Sequence, residues 1–318
     1  MKKSVIILGS TGSIGNSSLK IIKKYKNLYN VELLTTNNNI SLLLKQSLML
    51  NVKNVVVKNK IKFKKSKNYE KVFKKNKIKV FFELSKYFEK NKNKVSFTIN
   101  GISGIEGLKP TLEIIPYTQN IGIANKESLI CGWNLILKNL KKYKTNFIPL
   151  DSEHFSIHSL IKNYDISSIK NIYLTASGGP FLNKSLSFIK KSKLKEIVKH
   201  PNWKMGNKIS VDSASMMNKI FEIYEARNIF NIPLSKLKII IHPKSLIHAI
   251  VEFNSGIIKF LIHAPDMQIP IYNFLFKDNQ KNLYQSKNFN LYSMNGVNFV
   301  KPNTVKFPYL KLLNNKKI

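Results

Sequence analysis

Short apolar runs alternate with stretches of helical spacing along the first 150 residues. Asn16–Lys26 and Lys126–Lys142 predict helices, and Gly104–Ile115 predicts a helix that Pro110 interrupts. Such alternation is typical of a parallel, doubly wound α/β sheet. The predicted strands are Val5–Gly9, Val31–Thr36, Asn54–Val57, Val80–Leu84, Val95–Thr98, Ile121–Ala124 and Phe147–Asp151.

The pattern changes after Asp151, where strands outnumber helices. A helix is expected from Ser213 to Asn228, among strands at Asn171–Thr175, Leu237–His242, His248–Phe253 and Ile257–His263. This arrangement predicts an α+β domain with a mostly antiparallel or mixed sheet. We expect residues 1–150 to form one domain, residues 151–285 a second, catalytic one, and residues 286–318 a tail or linker.

A glycine-rich loop, Gly9-Ser10-Thr11-Gly12-Ser13-Ile14-Gly15, follows the first strand and opens the first helix. Glycines let the backbone approach a pyrophosphate, and the helix N-terminus offers N–H groups to that anion. The alternative is a turn that needs glycines only for its geometry. The second strand ends Thr36-Asn37-Asn38-Asn39, without the carboxylate that NAD-specific folds use, which favours NADP in a Rossmann-like domain.

Two carboxylates, Asp151 and Glu153, stand at the end of a predicted strand. In extended backbone, residues two apart point to the same face. Carboxylates that close together repel each other unless a cation lies between them, and oxygen ligands suit Mg²⁺ or Mn²⁺. A solvated strand end would explain this pair equally well.

The helix predicted from Ser213 carries polar residues on one face. Asn218 and Glu222 are four residues apart, and Lys219 lies beside them. Glu222 can complete a metal site while Asn218 and Lys219 bind a phosphate, and Ser213 is placed to cap the helix or bind that phosphate. The alternative is an amphipathic helix with a polar outer face.

Two further loops carry candidate residues. Ser177-Gly178-Gly179-Pro180 can present a hydroxyl and N–H groups to an anion, or be only a turn. The segment His200-Pro201-Asn202-Trp203-Lys204-Met205-Gly206 has the composition of a lid that excludes water, or of a loop packed on its own domain.

The formal net charge of +36 comes from 53 basic and 17 acidic residues. Arg227 is the only arginine, whereas proteins that bind nucleic acid favour arginine for phosphate and base contacts. We therefore attribute the charge to compositional drift and expect neither a nucleic-acid nor a membrane partner. Lysine-rich residues 58–67 and 74–79 are expected to be surface loops or solvated faces. A single cysteine, Cys131, excludes an internal disulfide, and a cytoplasmic location fits.

Several motifs together resemble the 1-deoxy-D-xylulose 5-phosphate reductoisomerase family. They are GSTGSIG (9–15), ANKES (124–128), PLDSEH (149–154), LTASGGPF (174–181), HPNWKMGNKISVDSASMMNK (200–219), IHPKSLIH (241–248) and APDM (264–267). The resemblance implies that NADPH and a divalent metal, Mn²⁺, Mg²⁺ or Co²⁺, serve the conversion of 1-deoxy-D-xylulose 5-phosphate to 2-C-methyl-D-erythritol 4-phosphate. It also implies a homodimer formed through the central domain.

The resemblance assigns roles residue by residue. Asp151, Glu153 and Glu222 match the metal ligands. The positions that match substrate contacts are Lys126, Ser152, Ser177, His200, Ser213, Asn218 and Lys219. Cofactor contacts match Thr11, Gly12, Ser13, Ile14, Asn37, Asn38, Asn125, Glu127 and Gly206. Trp203 and Met205 lie on the family's flap, and His248 and Met267 match positions near the active site.

Two departures from the family pattern stand out. Thr36 replaces a glycine at the end of the second strand, and residues 286–318 are expected to stand where the family continues into a C-terminal helical domain. The alternatives to an active reductoisomerase are a decayed, non-catalytic remnant of the same fold and a basic module that binds nucleic acid or membrane. The intact metal and substrate positions argue against decay, and the single arginine argues against the basic module.

Overall fold

A computed structural model describes residues 1–197, 206–277 and 290–314. The chain divides into two compact units, each described here by itself. The first comprises Met1–Leu150 together with residues 270–277, and the second comprises Asp151–Ile269 together with the described residues from 290 onward. In the described segments no helix combines the length and the apolar character needed to cross a bilayer.

The first unit holds a sheet of seven parallel strands in the order β4-β3-β2-β1-β5-β6-β7. The central strand contributes four consecutive side chains, Val5 to Leu8, that are almost fully buried, as expected for a strand covered on both faces. The predicted Rossmann-like parallel sheet is therefore confirmed. The strands are β1 (Lys3–Leu8), β2 (Tyr29–Thr36), β3 (Asn54–Val57), β4 (Lys79–Phe81), β5 (Val95–Asn100), β6 (Thr118–Ile123) and β7 (Asn146–Pro149).

Seven α-helices connect these strands within the described part of the unit. The predicted interruption at Pro110 is wrong, because helix α6 begins at Leu108 and Pro110 lies in its first turn, where its missing N–H costs no helical bond. The helices are α1 (Ser13–Lys24), α2 (Ile40–Met49), α3 (Lys60–Lys65), α4 (Lys67–Lys75), α5 (Leu84–Phe88), α6 (Leu108–Ile114) and α7 (Lys126–Tyr143), with 3-10 turns at Ile105–Gly107 and Ile115–Tyr117.

The first lysine-rich segment, residues 58–67, forms α3 and the start of α4 rather than a loop, whereas residues 76–78 of the second form a turn before β4. Phe63 of α3 and Phe73 of α4 are buried, and their ring centroids lie 5.7 Å apart. The lysines around them face solvent because these two aromatic side chains hold the pair of helices to the unit.

The second unit contains a mixed four-stranded sheet in the order β11-β10-β8-β9, which confirms the predicted fold class. Strand β10 is antiparallel to both neighbours, whereas β8 and β9 run parallel. The strands are β8 (Ile169–Ala176), β9 (Leu237–Ile241), β10 (Ile247–Phe253) and β11 (Ile258–Ile262). The helices are α8 (Ser152–Ile161), α9 (Leu186–Lys191), α10 (Leu194–Ile197), α11 (Asn207–Ala214) and α12 (Met217–Phe230), with 3-10 turns at Ile166–Ser168, Leu234–Lys236, Leu291–Met294 and Pro308–Asn314.

The helix predicted from Ser213 to Asn228 is two helices. Met216 adopts a left-handed conformation with φ of 63° between α11 and α12. The apolar spacing continues across this break, so the sequence pattern alone did not reveal it. Helix α12 packs on the sheet through Ile223 and Ala226, which share a core with Ile157 of α8.

Helix α13 (Gln268–Leu275) lies largely with the first unit, although the sequence pattern placed residues 151–285 in one domain. Its Phe274 ring packs edge-on against Phe97 of β5 with centroids 5.3 Å apart. The Tyr29 hydroxyl donates a hydrogen bond to the Leu275 carbonyl over 2.8 Å. Aromatic packing of this kind is a tertiary effect that the local sequence does not disclose.

Candidate functional site

The glycine loop between β1 and α1 is built for a close approach of backbone to a ligand. Gly9 has φ of +75°, and a Cβ on Gly15 would lie 2.4 Å from both the Cα and the carbonyl oxygen of Ser10. Gly12 caps α1 without a side chain that could bind the first N–H groups of the helix. These N–H groups are therefore presented to an anion, as a pyrophosphate cradle requires. The predicted contact residues Ser13 and Ile14 open this helix.

The end of β2 lies beside the same loop. The hydroxyls of Thr11 and Thr36 are 2.8 Å apart and hydrogen-bonded, so the threonine that departs from the family pattern is tied to the loop. Asn37 and Asn38 follow and are exposed. The local structure is thus compatible with a nucleotide ribose at this edge of the sheet.

Asn125, Lys126 and Glu127 lie at the start of α7, after β6. The Asn125 side chain caps α7 by accepting from the Ser128 N–H over 2.5 Å, and its amide donates to the Gly104 carbonyl over 2.7 Å. Asn125 therefore supports the loop after β5. Lys126 and Glu127 are half-buried in the first turn of α7.

The carboxylates Asp151 and Glu153 come together by a different route from the one expected. They do not share a face of a strand: Asp151 is the N-cap of α8, and Glu153 is in its first turn. The Asp151 Oδ1 accepts from the backbone N–H of Glu153 at 3.1 Å and of His154 at 3.4 Å. The acid pair itself explains this helix start, since Asp is a favoured N-cap and Glu is favoured in the first turn.

Helix α12 completes the cluster with Glu222. One carboxylate oxygen from each of Asp151, Glu153 and Glu222 lies within 4.8 Å of the other two. Asn218 donates to Glu222 over 2.5 Å, so the predicted i,i+4 pair is in contact. Three converging carboxylate oxygens are the donor set that hard cations such as Mg²⁺ prefer.

Lys219 places a positive charge among these carboxylates. Its Nζ donates to Glu153 Oε1 over 2.5 Å and also to Glu222 Oε2. Burial alone would lower the pKa of this ammonium, but the charges of Glu153, Glu222 and Asp151 outweigh it and raise the pKa above its usual value. One ammonium offsets only part of the charge of three carboxylates, and the negative charge that remains fits a divalent cation.

Ser177 and Ser213 both lie beside a tight glycine turn, and the Ser177 hydroxyl accepts from the Gly179 N–H over 3.0 Å. Gly178 and Gly179 both have positive φ, and a Cβ on Gly179 would lie 2.9 Å from the Ser213 carbonyl oxygen. Ser213 lies in the last turn of α11, so the expectation that it caps a helix start is wrong. Ser152 is buried, and its hydroxyl donates to Glu153.

The remaining predicted residues are spread over the second unit. Gly206 is an exposed N-cap of α11, and Met267 is half-buried just before α13. His248 is buried in β10, where its ring stacks on His263 with centroids 3.7 Å apart. The predicted residues His200, Trp203 and Met205 lie outside the described residues.

Two buried residues beside the cluster, His154 and Glu225, were not predicted from the sequence. His154 Nδ1 lies 3.1 Å from Asp151 Oδ1 and 3.8 Å from Glu225 Oε2, and its Nε2 contacts the Glu222 carbonyl oxygen at 2.9 Å. It thus links α8 to α12, the two helices that carry the cluster. The signal was present as a histidine three residues after Asp151 and an acid three residues after Glu222.

Comparison with known proteins agrees with this geometry. The domain profile for 1-deoxy-D-xylulose 5-phosphate reductoisomerase matches residues 5–132, and the profile for the C-terminal domain of that enzyme matches residues 147–230. A 1-deoxy-D-xylulose 5-phosphate reductoisomerase from Pelagibacter ubique is 51% identical over 98% of this chain and 80% of that protein. This chain belongs to the 1-deoxy-D-xylulose 5-phosphate reductoisomerase family. The relative from Caldanaerobacter subterraneus is 38% identical over the same shares.

Solved reductoisomerase structures share the fold. The enzyme from Zymomonas mobilis in complex with NADPH superimposes with a TM-score of 0.87 at 32% identity, over 98% of this chain and 80% of that one. A reductoisomerase in complex with NADPH, fosmidomycin and magnesium gives a TM-score of 0.86 at 32% identity, over 98% and 78%. Both ligand classes expected from the sequence are therefore bound by structural relatives.

Proposed function

We propose that this chain is an active 1-deoxy-D-xylulose 5-phosphate reductoisomerase, which rearranges its substrate and reduces the resulting aldehyde to 2-C-methyl-D-erythritol 4-phosphate with NADPH. The observation that carries the proposal is the convergence of Asp151, Glu153 and Glu222 around one point. A decayed remnant would be under no pressure to keep three mutually repelling carboxylates half-buried or buried together.

We propose Asp151, Glu153 and Glu222 as the metal ligands. When bound, the metal supplies Lewis-acid polarisation of substrate oxygens, and NADPH supplies the hydride. The protein holds the carboxylates in place: the backbone of α8 fixes Asp151 Oδ1, and Asn218 fixes Glu222 Oε1. Carboxylates that are held in place in this way need not rearrange when charge develops on the substrate.

The proposed substrate phosphate is held by hydroxyl, amide and ammonium groups of the second unit. Ser177 and Ser213 both contact Gly179 of the glycine turn, and Asn218 and Lys219 lie in the first turn of α12. An anion near Lys219 would draw the ammonium from Glu153 and leave that carboxylate free for the metal. Ser152, His200 and Lys126 are proposed as further substrate contacts, with Trp203 and Met205 as flap residues and His248 and Met267 nearby.

The glycine loop is the proposed NADPH cradle. Thr11, Gly12, Ser13 and Ile14 line the start of α1, where a pyrophosphate gains from the helix dipole. The Gly12 N–H itself donates to the Gly9 carbonyl over 3.0 Å, so Gly12 contributes close approach of the backbone rather than a free donor. Asn37, Asn38, Glu127 and Gly206 are proposed as further contacts, and Asn125 is proposed to act mainly by shaping the loop after β5.

The test is to follow NADPH absorbance with 1-deoxy-D-xylulose 5-phosphate, with Mg²⁺, Mn²⁺ or Co²⁺ or with a chelator, and to identify the product by NMR. Metal-dependent oxidation and a branched tetrol phosphate support the proposal. Folded protein that binds NADPH but forms no product would support a decayed enzyme instead.

We also propose a homodimer that forms in the cytoplasm through the second unit. Strand β11 is an edge strand with Ile258 and Phe260 about half exposed, at 58% and 48%. Apolar edge strands pair readily with a second copy. A cytoplasmic location accords with a single, exposed cysteine. Light scattering of the wild-type protein and of Phe260→Lys tests the dimer: a wild-type mass of one chain would contradict it.

A further inference from the structure

The proposed cofactor carries a 2′-phosphate, and the end of β2 offers that dianion no positive charge. Residues 36–39 are Thr-Asn-Asn-Asn, and the only arginine of the chain is Arg227 on α12 in the second unit. Amide and hydroxyl groups there can donate hydrogen bonds but cannot neutralise charge. Recognition of a phosphate usually adds charge-assisted hydrogen bonds from a cationic side chain.

Lys58 stands next to this strand end. It is the first residue after β3, and its backbone N–H donates to the Thr36 carbonyl over 2.9 Å. The following residue repeats the contact: the Asn59 N–H donates to the Asn37 carbonyl over 3.3 Å, and the Asn59 amide donates to Asn38 Oδ1 over 2.8 Å. The backbone of Lys58 is therefore anchored to the segment expected to meet the ribose.

The present partner of Lys58 lies across the sheet. Its Nζ forms an ion pair with Glu106 in the 3-10 turn that follows β5. In the strand order, β2 and β1 lie between β3 and β5, so this pair spans the carboxyl ends of β2 and of β1, the strand that leads into the glycine loop. Both side chains are more than half exposed, so exchanging Glu106 for another anion costs little.

A neighbouring lysine fits the role less well. Lys60 begins α3, and its Nζ lies over the ring of Phe82, 5.5 Å from the centroid, in the segment that follows β4 rather than β2. No carboxylate within residues 36–39 or 58–60 would oppose a phosphate.

We infer that Lys58 binds the 2′-phosphate of the cofactor and gives up its ion pair with Glu106 when it does. Lys58 is then the residue that sets the preference for NADPH over NADH, and Glu106 competes with the phosphate for it. This inference rests on the proposed function, since it needs a dinucleotide in the glycine loop.

Two small nucleotides, 2′,5′-ADP and 5′-AMP, differ only in the 2′-phosphate, so comparing their affinities isolates the contribution of that group. Calorimetry would measure the affinity of each nucleotide for the wild-type protein, Lys58→Met and Lys86→Met. Lys86 is the matched control because it forms an exposed ion pair with Glu89 of similar exposure in the same unit, and its loss changes the net charge equally.

We expect Lys58→Met to weaken 2′,5′-ADP about tenfold, as for loss of one hydrogen bond between charged groups, and to leave 5′-AMP unchanged. Glu106→Gln should tighten 2′,5′-ADP severalfold, but only while Lys58 is present. Equal losses of 2′,5′-ADP affinity in Lys58→Met and Lys86→Met would overturn this inference and leave the proposed cofactor site standing. A wild-type protein that binds neither nucleotide would overturn the proposed cofactor site and the inference with it.

Discussion

The two candidate sites are built from different groups of the chain, backbone in one and side chains in the other. In the first unit the nucleotide cradle consists of backbone: glycines at 9, 12 and 15 and the free N–H groups of α1. In the second unit the cation site consists of side chains from α8 and α12, with Glu153 and Lys219 in contact across 66 positions of sequence. A backbone site depends on shape and tolerates neutral changes around it, whereas a side-chain site depends on a balance of buried charge.

Removal of Lys219 should break that charge balance and give the largest effect. Lys219→Met leaves Glu153 and Glu222 without their ammonium, so we expect the metal-free protein to lose about 3–5 kcal/mol of unfolding free energy. Urea unfolding measures this loss. Added Mg²⁺ should restore more stability to the variant than it adds to wild type; no such difference would show that the metal does not enter the cluster.

Acid should distinguish the units because all six histidines lie between residues 151 and 269. Burial lowers the pKa of His248 to about 4, and burial, then the charge of His248, lowers that of His263 to about 3. Both rings stay neutral in the folded protein while the unfolded chain takes up protons below about 6.5. Their contribution is therefore complete above pH 6.5 and is lost as pH falls toward 4 and 3, at about 1.4 kcal/mol per pH unit for each.

The check is urea unfolding at pH 7 and pH 5 for wild type and His263→Asn. We expect wild type to lose stability at pH 5 and the variant to show a shallower dependence. The first unit contains no histidine, so it contributes nothing to the histidine part of this dependence. A variant with the same pH dependence as wild type would show that the buried histidine pair does not control it.

Gly15→Ala tests the backbone site and should have the smallest effect of the three on stability. The added methyl group would overlap Ser10, so we expect a loss of about 1–3 kcal/mol together with weaker nucleotide binding. Gly12→Ala is the matched control, since its Cβ would meet the nearest backbone atom at an ordinary 3.4 Å. Thermal unfolding of both variants decides: equal transition temperatures would contradict the proposed close approach at Gly15.

The sequence predicted the backbone site more completely than the side-chain site, for a physical reason. The strand–glycine loop–helix signal is local, and all seven strands of the first sheet were expected close to their observed positions. The acid pair was expected on a strand but forms a helix start, because Asp151 caps the next helix instead of ending an extended segment. Spacing alone could not distinguish these two conformations.

Residues that act through tertiary contacts were the hardest to predict. The left-handed Met216 divides a helix that periodicity presents as continuous, and α12 begins directly after it with Asn218 and Lys219 in its first turn. His154 contacts Asp151 and the backbone of Glu222, which are 71 positions apart in a chain whose local pattern shows neither contact. Only the packing of α8 against α12 reveals the role of this histidine.

The central claim is that Asp151, Glu153 and Glu222 hold a divalent cation. A calorimetric titration with Mn²⁺ tests it most directly, on wild type, Glu153→Gln and Glu252→Gln. Glu252 is the control because it is a half-buried acid of the same unit that pairs with Lys170 away from the cluster. We predict saturable binding by wild type and Glu252→Gln and a loss of more than about 100-fold in Glu153→Gln, beyond the effect typical of residues that only support metal ligands. Equal Mn²⁺ affinities for all three proteins would contradict the account.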